Sequence, residues 1–333
     1  MKATLLAGIG LSVVLAAAAF AAAPSYHVVD RIKVGDGGFD YAVFDTAKNR
    51  VLLARTNYTT AIDAKTGTVS ELKAASAGHM AIPIPGSNLL LLPQGRGTIS
   101  IVDGKDDKPI AELKGGTNPD GAAYDPFSKL VFVMNHTSGD ATVVDPMAQK
   151  VVATIQIGGT LEFPASDGAG KVFVNVEDTG EIAVIDVKSR QMTAKWKMPG
   201  CVNPTGLAYI PTLKLLASSC GQSGTAKFVR ADSGAEVASL KIPVGADAVF
   251  YDAKRNNVLI PTRSGFLEVI SVADAAHISV VQEVPTAVGS RTGIVDPNTG
   301  RVYMMSAKFG DPPAGGGRAQ AIPGTFEVIV VAP

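Results

Sequence analysis

Short apolar runs separated by turn residues recur along the chain, most clearly over residues 120–160. That stretch reads DGAAYDP, KLVFVMN, DATVVDP and KVVATIQIGG, with breaks at Asp125-Pro126, at His136 to Asp140 and at Asp145-Pro146. Runs this short, rich in Val, Ile, Thr, Phe and Tyr, predict strands. Links of a few residues make consecutive strands pair antiparallel, as a meander. A lone meander has two apolar faces and two bare edges, so it needs neighbours.

The rest of the chain supplies them. Positions equivalent to Asp120 recur at Asp40, His79, Glu162, Thr205, Asp247 and Thr292, at spacings of 39, 41, 42, 43, 42 and 45 residues. A four-stranded unit repeating every 40–45 residues is the signature of a propeller blade. The fold class expected is therefore all-β, a seven-bladed β-propeller of four-stranded antiparallel blades. The seventh unit reaches only its third strand, FEVIVV, before Pro333. Residues 27–36, HVVDRIKVGD, match the phase of KVVATIQIGG, so this N-terminal strand is expected to close the last blade and leave no open edge. Such a domain exceeds the usual ~150 residues without dividing, because propellers grow by adding blades.

Residues 1–21 carry a positive start at Lys2, an apolar stretch and a small-x-small ending at Ala19-Phe20-Ala21. They read as a secretory signal peptide ahead of a propeller over 26–333. The expected product is periplasmic or secreted, monomeric and without a membrane span once the leader is removed. Cys201 and Cys220 flank adjacent strands of the fifth blade on one side, and in an exported chain they are expected to pair. Thirty basic residues balance thirty acidic ones, and no basic run with interleaved aromatics points to nucleic acid. Residues 309–324, FGDPPAGGGRAQAIPG, form the one long inter-strand link, a loop of the kind that is either functional or disordered.

Residues 131–135, VFVMN, and 172–175, VFVN, resemble the aromatic-Val-x-Asn core of the YVTN-type (YncE-like) repeat family. NPDGAAYDP and VVDPMAQKVVATIQIG resemble the flanking parts of that repeat, while KLLASSC and RVYMMSA depart from it. The resemblance spans essentially the whole chain after the leader. It implies a seven-bladed propeller, commonly exported. It implies no single activity, since related propellers include ligand or partner binders, DNA binders and lactone hydrolases.

Position within the blade separates two populations of acidic residue. Asp45, Asp125, Asp252 and Asp296 end first strands, and Asp63, Asp103, Asp145 and Asp186 end third strands, where short carboxylates fix turns. Asp40, Asp120, Glu162 and Asp247 begin first strands, with His79 equivalent. First strands line a propeller's channel, so these residues should ring its mouth. Arg291, Asn118 and Asn203 just precede first strands, and Arg55, His136, Glu177, Asp178, Arg263 and Lys308 lie near second-strand ends, which open on the same face.

Such a ring can be a water-filled channel, a recognition site for a small polar ligand or a partner, or a metal site. The ligand-binding set expected is Asp40, His79, Asp120, Glu162, Asp247, Arg291, Arg263, Asn118 and Asn203. Asp40, Asp120 and Glu162 suit a divalent metal such as Ca²⁺, and His79 would admit a transition metal. The function expected is binding of a small polar ligand or another exported protein at the mouth. The alternative is metal-assisted hydrolysis of a lactone or similar ester, with Asp40, Asp120 or Glu162 as ligand or general base. Nucleophile-elbow and phosphate-loop motifs are absent in usable context.

Overall fold

The computed structural model describes residues 25–74, 78–311 and 319–333; the segment read as a leader lies outside them. Among the described residues the strands form seven four-stranded antiparallel sheets, each pairing its strands in order. Blades 1 to 6 cover 39–72, 82–114, 119–156, 161–197, 204–241 and 250–285. Blade 7 takes its inner three strands from 293–332 and its outer strand from His27–Lys33, which pairs antiparallel with Glu327–Ala332.

Burial within a blade explains its residue pattern. The second strand of blade 3, Leu130–Asn135, is buried at every position, because a blade packs on both sides. The outer strand Lys150–Gln156 is mostly exposed or half-buried, and its sequence is correspondingly more polar. Among the described residues seven apolar clusters form, one between each adjacent pair of blades, one of them joining blade 7 back to blade 1. Phe132, Phe173 and Phe228 are fully buried in three of them. Each such side chain contributes roughly 1.5–3 kcal/mol of burial.

The carboxylates at strand ends hold turns. Asp125 Oδ2 accepts from the Ser128 N–H at 2.8 Å and its hydroxyl at 2.7 Å, and Oδ1 accepts from Ser166 of the next blade at 2.6 Å. Asp63 and Asp296 accept from their own turns in the same way. The asparagines of the two VFV-type strands are structural as well. Asn175 Nδ2 donates to the Thr205 and Gly206 carbonyls, and its Oδ1 accepts from Ser218, so one amide ties blade 4 to blade 5.

Ring closure has its own clasp. Gln282 of blade 6 accepts from the Tyr26 N–H at 2.9 Å and donates to the Tyr26 carbonyl at 2.7 Å. The buried Tyr26 hydroxyl donates to Asp252. Arg31 pairs with Glu327 across the closing strands.

Cys201 and Cys220 are joined, with Cα atoms 5.2 Å apart, in blade 5. No described helix is long and apolar enough to cross a membrane. First strands of blades 2, 6 and 7 are shorter than the repeat suggests, at Ile82–Pro83, Phe250–Asp252 and Gly293–Val295. In blade 2, Pro83 and Pro85 remove two backbone donors. His79, Asp247 and Thr292 therefore precede regular strands instead of opening them.

Candidate functional site

The inner strands deliver their first residues to the mouth through breaks in the ladder. The pairing of first with second strands shifts register between Phe39 and Ala42, Pro119 and Ala122, and Leu161 and Pro164. Asp40, Asp120 and Glu162 sit within those shifts, where a bulge re-aims a side chain. Gly121 belongs to the same irregularity: a Cβ there would come within 3.0 Å of Pro164 and 3.1 Å of the Glu162 carbonyl. Its bare backbone lets blade 4 approach.

Five side chains from four blades meet. His79 Nδ1 lies 2.6 Å from Asp40 Oδ2 and 3.5 Å from Asp120 Oδ1. His136 Nδ1 lies 3.7 Å from Asp120 Oδ2 and 3.3 Å from Glu162 Oε1. Since a carbonyl can only accept, the 3.1 Å contact of His136 Nδ1 with the Leu161 oxygen places the proton on that nitrogen. Glu162 Oε2 accepts from the buried Tyr41 hydroxyl at 2.9 Å. One donor atom from each of Asp40, His79 and Asp120 falls within 4.8 Å of the others, and Asp120, His136 and Glu162 form a second such group.

Crowding sets the electrostatics. Burial, followed by the field of Asp40, pushes Asp120 up to about 8, against the opposing charge of His79. Burial disfavours charge on His79, but the Asp40 hydrogen bond and the Asp120 field outweigh it and raise the imidazole to about 9. His136 also rises to about 9, first through its contact with Glu162. Burial lifts Glu177 and Asp247 above the ordinary carboxylate range, with Arg291 opposing the rise of Asp247.

The other residues expected at the mouth divide into three groups. Asp247 accepts from Arg291 Nε at 2.6 Å, Asn203 donates to Glu177, and Arg263 lines the same cavity as all four. That cavity is about 850 Å³ and also touches His136, Glu162 and Phe309. Asn118 sits beside His79: a Cβ on Gly95 would come within 2.7 Å of His79 Nε2 and 3.0 Å of Asn118 Oδ1. Arg55 and Asp178 turn to structural work. Arg55 donates to the Gly35, Gly37 and Gly38 carbonyls and lies over the Phe326 ring, clamping the incoming chain. Asp178 accepts from the Thr160 N–H and ties the link between blades 3 and 4 to the second strand end of blade 4. Lys308 uses its backbone N–H to bond Thr325 at the base of the long link.

Sequence position alone missed Tyr41, and it left His136 and Glu177 outside the ligand-binding set. The signal for Tyr41 was its place one residue after Asp40 on an inner strand. A second cavity of about 570 Å³, lined by Tyr41, Phe163, Leu207, Phe250 and other inner-strand residues, is apolar. Tyr41 and Glu162 thus stand where a polar mouth meets an apolar channel.

Solved propellers resemble this chain in fold. A chain of the mitotic checkpoint complex aligns over 98% of both chains, at 14% identity and a TM-score of 0.72. U3-55K aligns over 91% of this chain and 98% of its own, at 10% identity and a TM-score of 0.76. Hydrazine synthase from Kuenenia stuttgartiensis aligns over 81% and 94%, at 15% identity and a TM-score of 0.69. At these identities the likeness shows the fold alone. No family model matches the chain, and no curated protein does. The YVTN-type resemblance therefore rests on the repeat motifs quoted above.

Proposed function

We propose that this protein is an exported, YVTN-like propeller that binds a small polar ligand at its channel mouth. One observation carries the reading. A single cavity of about 850 Å³ is lined by Glu162, Glu177 and Asp247 together with Arg263 and Arg291. That volume suits a small molecule, and groups of both signs suit one bearing donors and acceptors, such as an amino acid, an amino sugar or a hydroxy acid. Export is supported by the leader-like residues 1–21 and by the disulfide.

A thermal-shift screen of metal-stripped protein against those compound classes tests the reading, with hits measured by calorimetry. Glu177→Gln and Arg291→Gln should each weaken a true hit at least tenfold. Absence of any saturable hit, or hits indifferent to both substitutions, rules the reading out.

The alternative, metal-assisted hydrolysis of a lactone or similar ester, is favoured by the two three-residue donor groups that share Asp120. Ester hydrolysis that disappears with chelator and with Asp120→Asn would establish it.

A further inference from the structure

We propose that Asp40, His79 and Asp120 form a binding site for a divalent first-row transition metal, with Zn²⁺ or Mn²⁺ as the class of ion. The proposal uses the same mouth as the ligand reading but does not depend on it. It starts from Asp120, which is only 9% exposed. Every other carboxylate at this rim accepts a hydrogen bond: Asp40 at His79, Glu162 from Tyr41, Glu177 from Asn203 and Asp247 from Arg291. Among the described residues Asp120 makes none, and its nearest cationic neighbours stand at 3.5 and 3.7 Å. Its side chain is 12% exposed and faces the mouth, so a carboxylate held only by those two longer ion pairs is free to ligate a divalent cation.

Geometry selects where the cation sits. Metal–ligand bonds of ~2.0–2.2 Å in a tetrahedral site place donor atoms roughly 3.4 Å apart. His79 Nδ1 and Asp120 Oδ1 already stand 3.5 Å apart. Asp40 Oδ2, at 2.6 Å from the same nitrogen, must draw back, and its side chain is 38% exposed and at liberty to do so. The ion takes the place of the His79 Nδ1 proton, which leaves to solvent. Remaining positions open onto a cavity of about 370 Å³ lined by Asp40, His79 and Gly95.

The Asp120–His136–Glu162 group is less ready, because His136 Nδ1 already donates to the Leu161 carbonyl and Glu162 Oε2 already accepts from Tyr41. One imidazole with two carboxylates suits Zn²⁺ or Mn²⁺ better than Ca²⁺, which gathers six to eight oxygens.

Calorimetry of Zn²⁺ and Mn²⁺ binding to metal-stripped protein provides the test, with Co²⁺ absorption reporting nitrogen coordination. One equivalent should bind. His79→Gln and Asp120→Asn should each weaken binding at least tenfold while keeping the wild-type circular dichroism, and Asp232→Asn, at an exposed carboxylate of blade 5, should stay within twofold. Absence of saturable binding overturns the site, as does wild-type affinity in His79→Gln. Loss of binding in His136→Gln but not in His79→Gln also overturns it, by moving the ion to the second group. If metal-stripped protein still binds a small polar ligand but takes up no metal, this inference fails and the ligand reading stands.

Discussion

The Tyr41 hydroxyl donates a 2.9 Å hydrogen bond to Glu162 Oε2, linking blade 1 to blade 4 across the channel. Both groups are buried, and the Tyr41 ring packs edge-on against Phe163, with centroids 5.2 Å apart. Burial and the Glu162 charge hold the phenol well above its usual pKa, so it remains a donor at any physiological pH. Tyr41→Phe keeps the ring contact and removes only the donor. Since a hydrogen bond to a charged acceptor contributes about 1.5–3 kcal/mol, chemical denaturation should show a loss in that range. Unchanged stability would mean that the bridge does not form in solution.

Glu268 supplies a pH dependence. It is fully buried on the third strand of blade 6, both its carboxylate oxygens lack partners, and it pairs directly with Glu283. Burial first, then the Glu283 charge, raises it from 4.5 to about 7. The fold therefore prefers the protonated form. The contribution of this residue to stability is greatest below pH 4.5, falls as pH rises to about 7, and is flat above. A shift of this size corresponds to roughly 3 kcal/mol. Glu268→Gln should raise stability at pH 8 and flatten the profile between pH 4.5 and 7. A variant less stable than wild type at pH 8 would show that the ionised carboxylate has a stabilising partner.

The Cys201–Cys220 bond closes a loop with a sequence separation of 19. On the chain-entropy estimate its reduction should cost about 3 kcal/mol. Mass spectrometry after alkylation of denatured, non-reduced protein should find both thiols blocked, and a reducing agent should lower the unfolding midpoint. Full alkylation without reductant would exclude the bond.

The repeat was legible because each blade solves the same packing problem. Residue spacing, the buried second strands and the Asp-containing turns all follow from that problem, and they located the ring and its closure. The starts of the inner strands were less legible. Prolines 83 and 85 shorten one strand, and local bulges carry Asp40, Asp120 and Glu162 out of the ladder. Phase could place these three on one face, because phase depends on topology. It could not reveal that Arg55 is committed to three backbone carbonyls, or that Tyr41 reaches another blade. Those outcomes depend on side-chain reach across the axis, which no local pattern encodes.

Closure of the ring gives the last prediction. The strand His27–Lys33 pairs along the whole of Glu327–Ala332, with one irregularity after Val28. Its removal would expose that edge of FEVIVV, whose Val328, Ile329, Val330 and Val331 are now buried. It would also take away the Tyr26 ring from the core between blades 6 and 7, and the two hydrogen bonds to Gln282. Unpaired apolar edges template association between chains. Deletion through residue 36 should therefore produce aggregation or a broad, non-cooperative unfolding transition, whereas deletion through residue 23 should leave unfolding unchanged. A milder variant separates the clasp from the strand. Gln282→Ala keeps every ladder bond but frees the Tyr26 backbone, and should speed hydrogen exchange over 26–33 without aggregation. If the protein lacking 24–36 stays monomeric and unfolds cooperatively at the wild-type midpoint, the N-terminal strand is dispensable and closure does not sustain the ring.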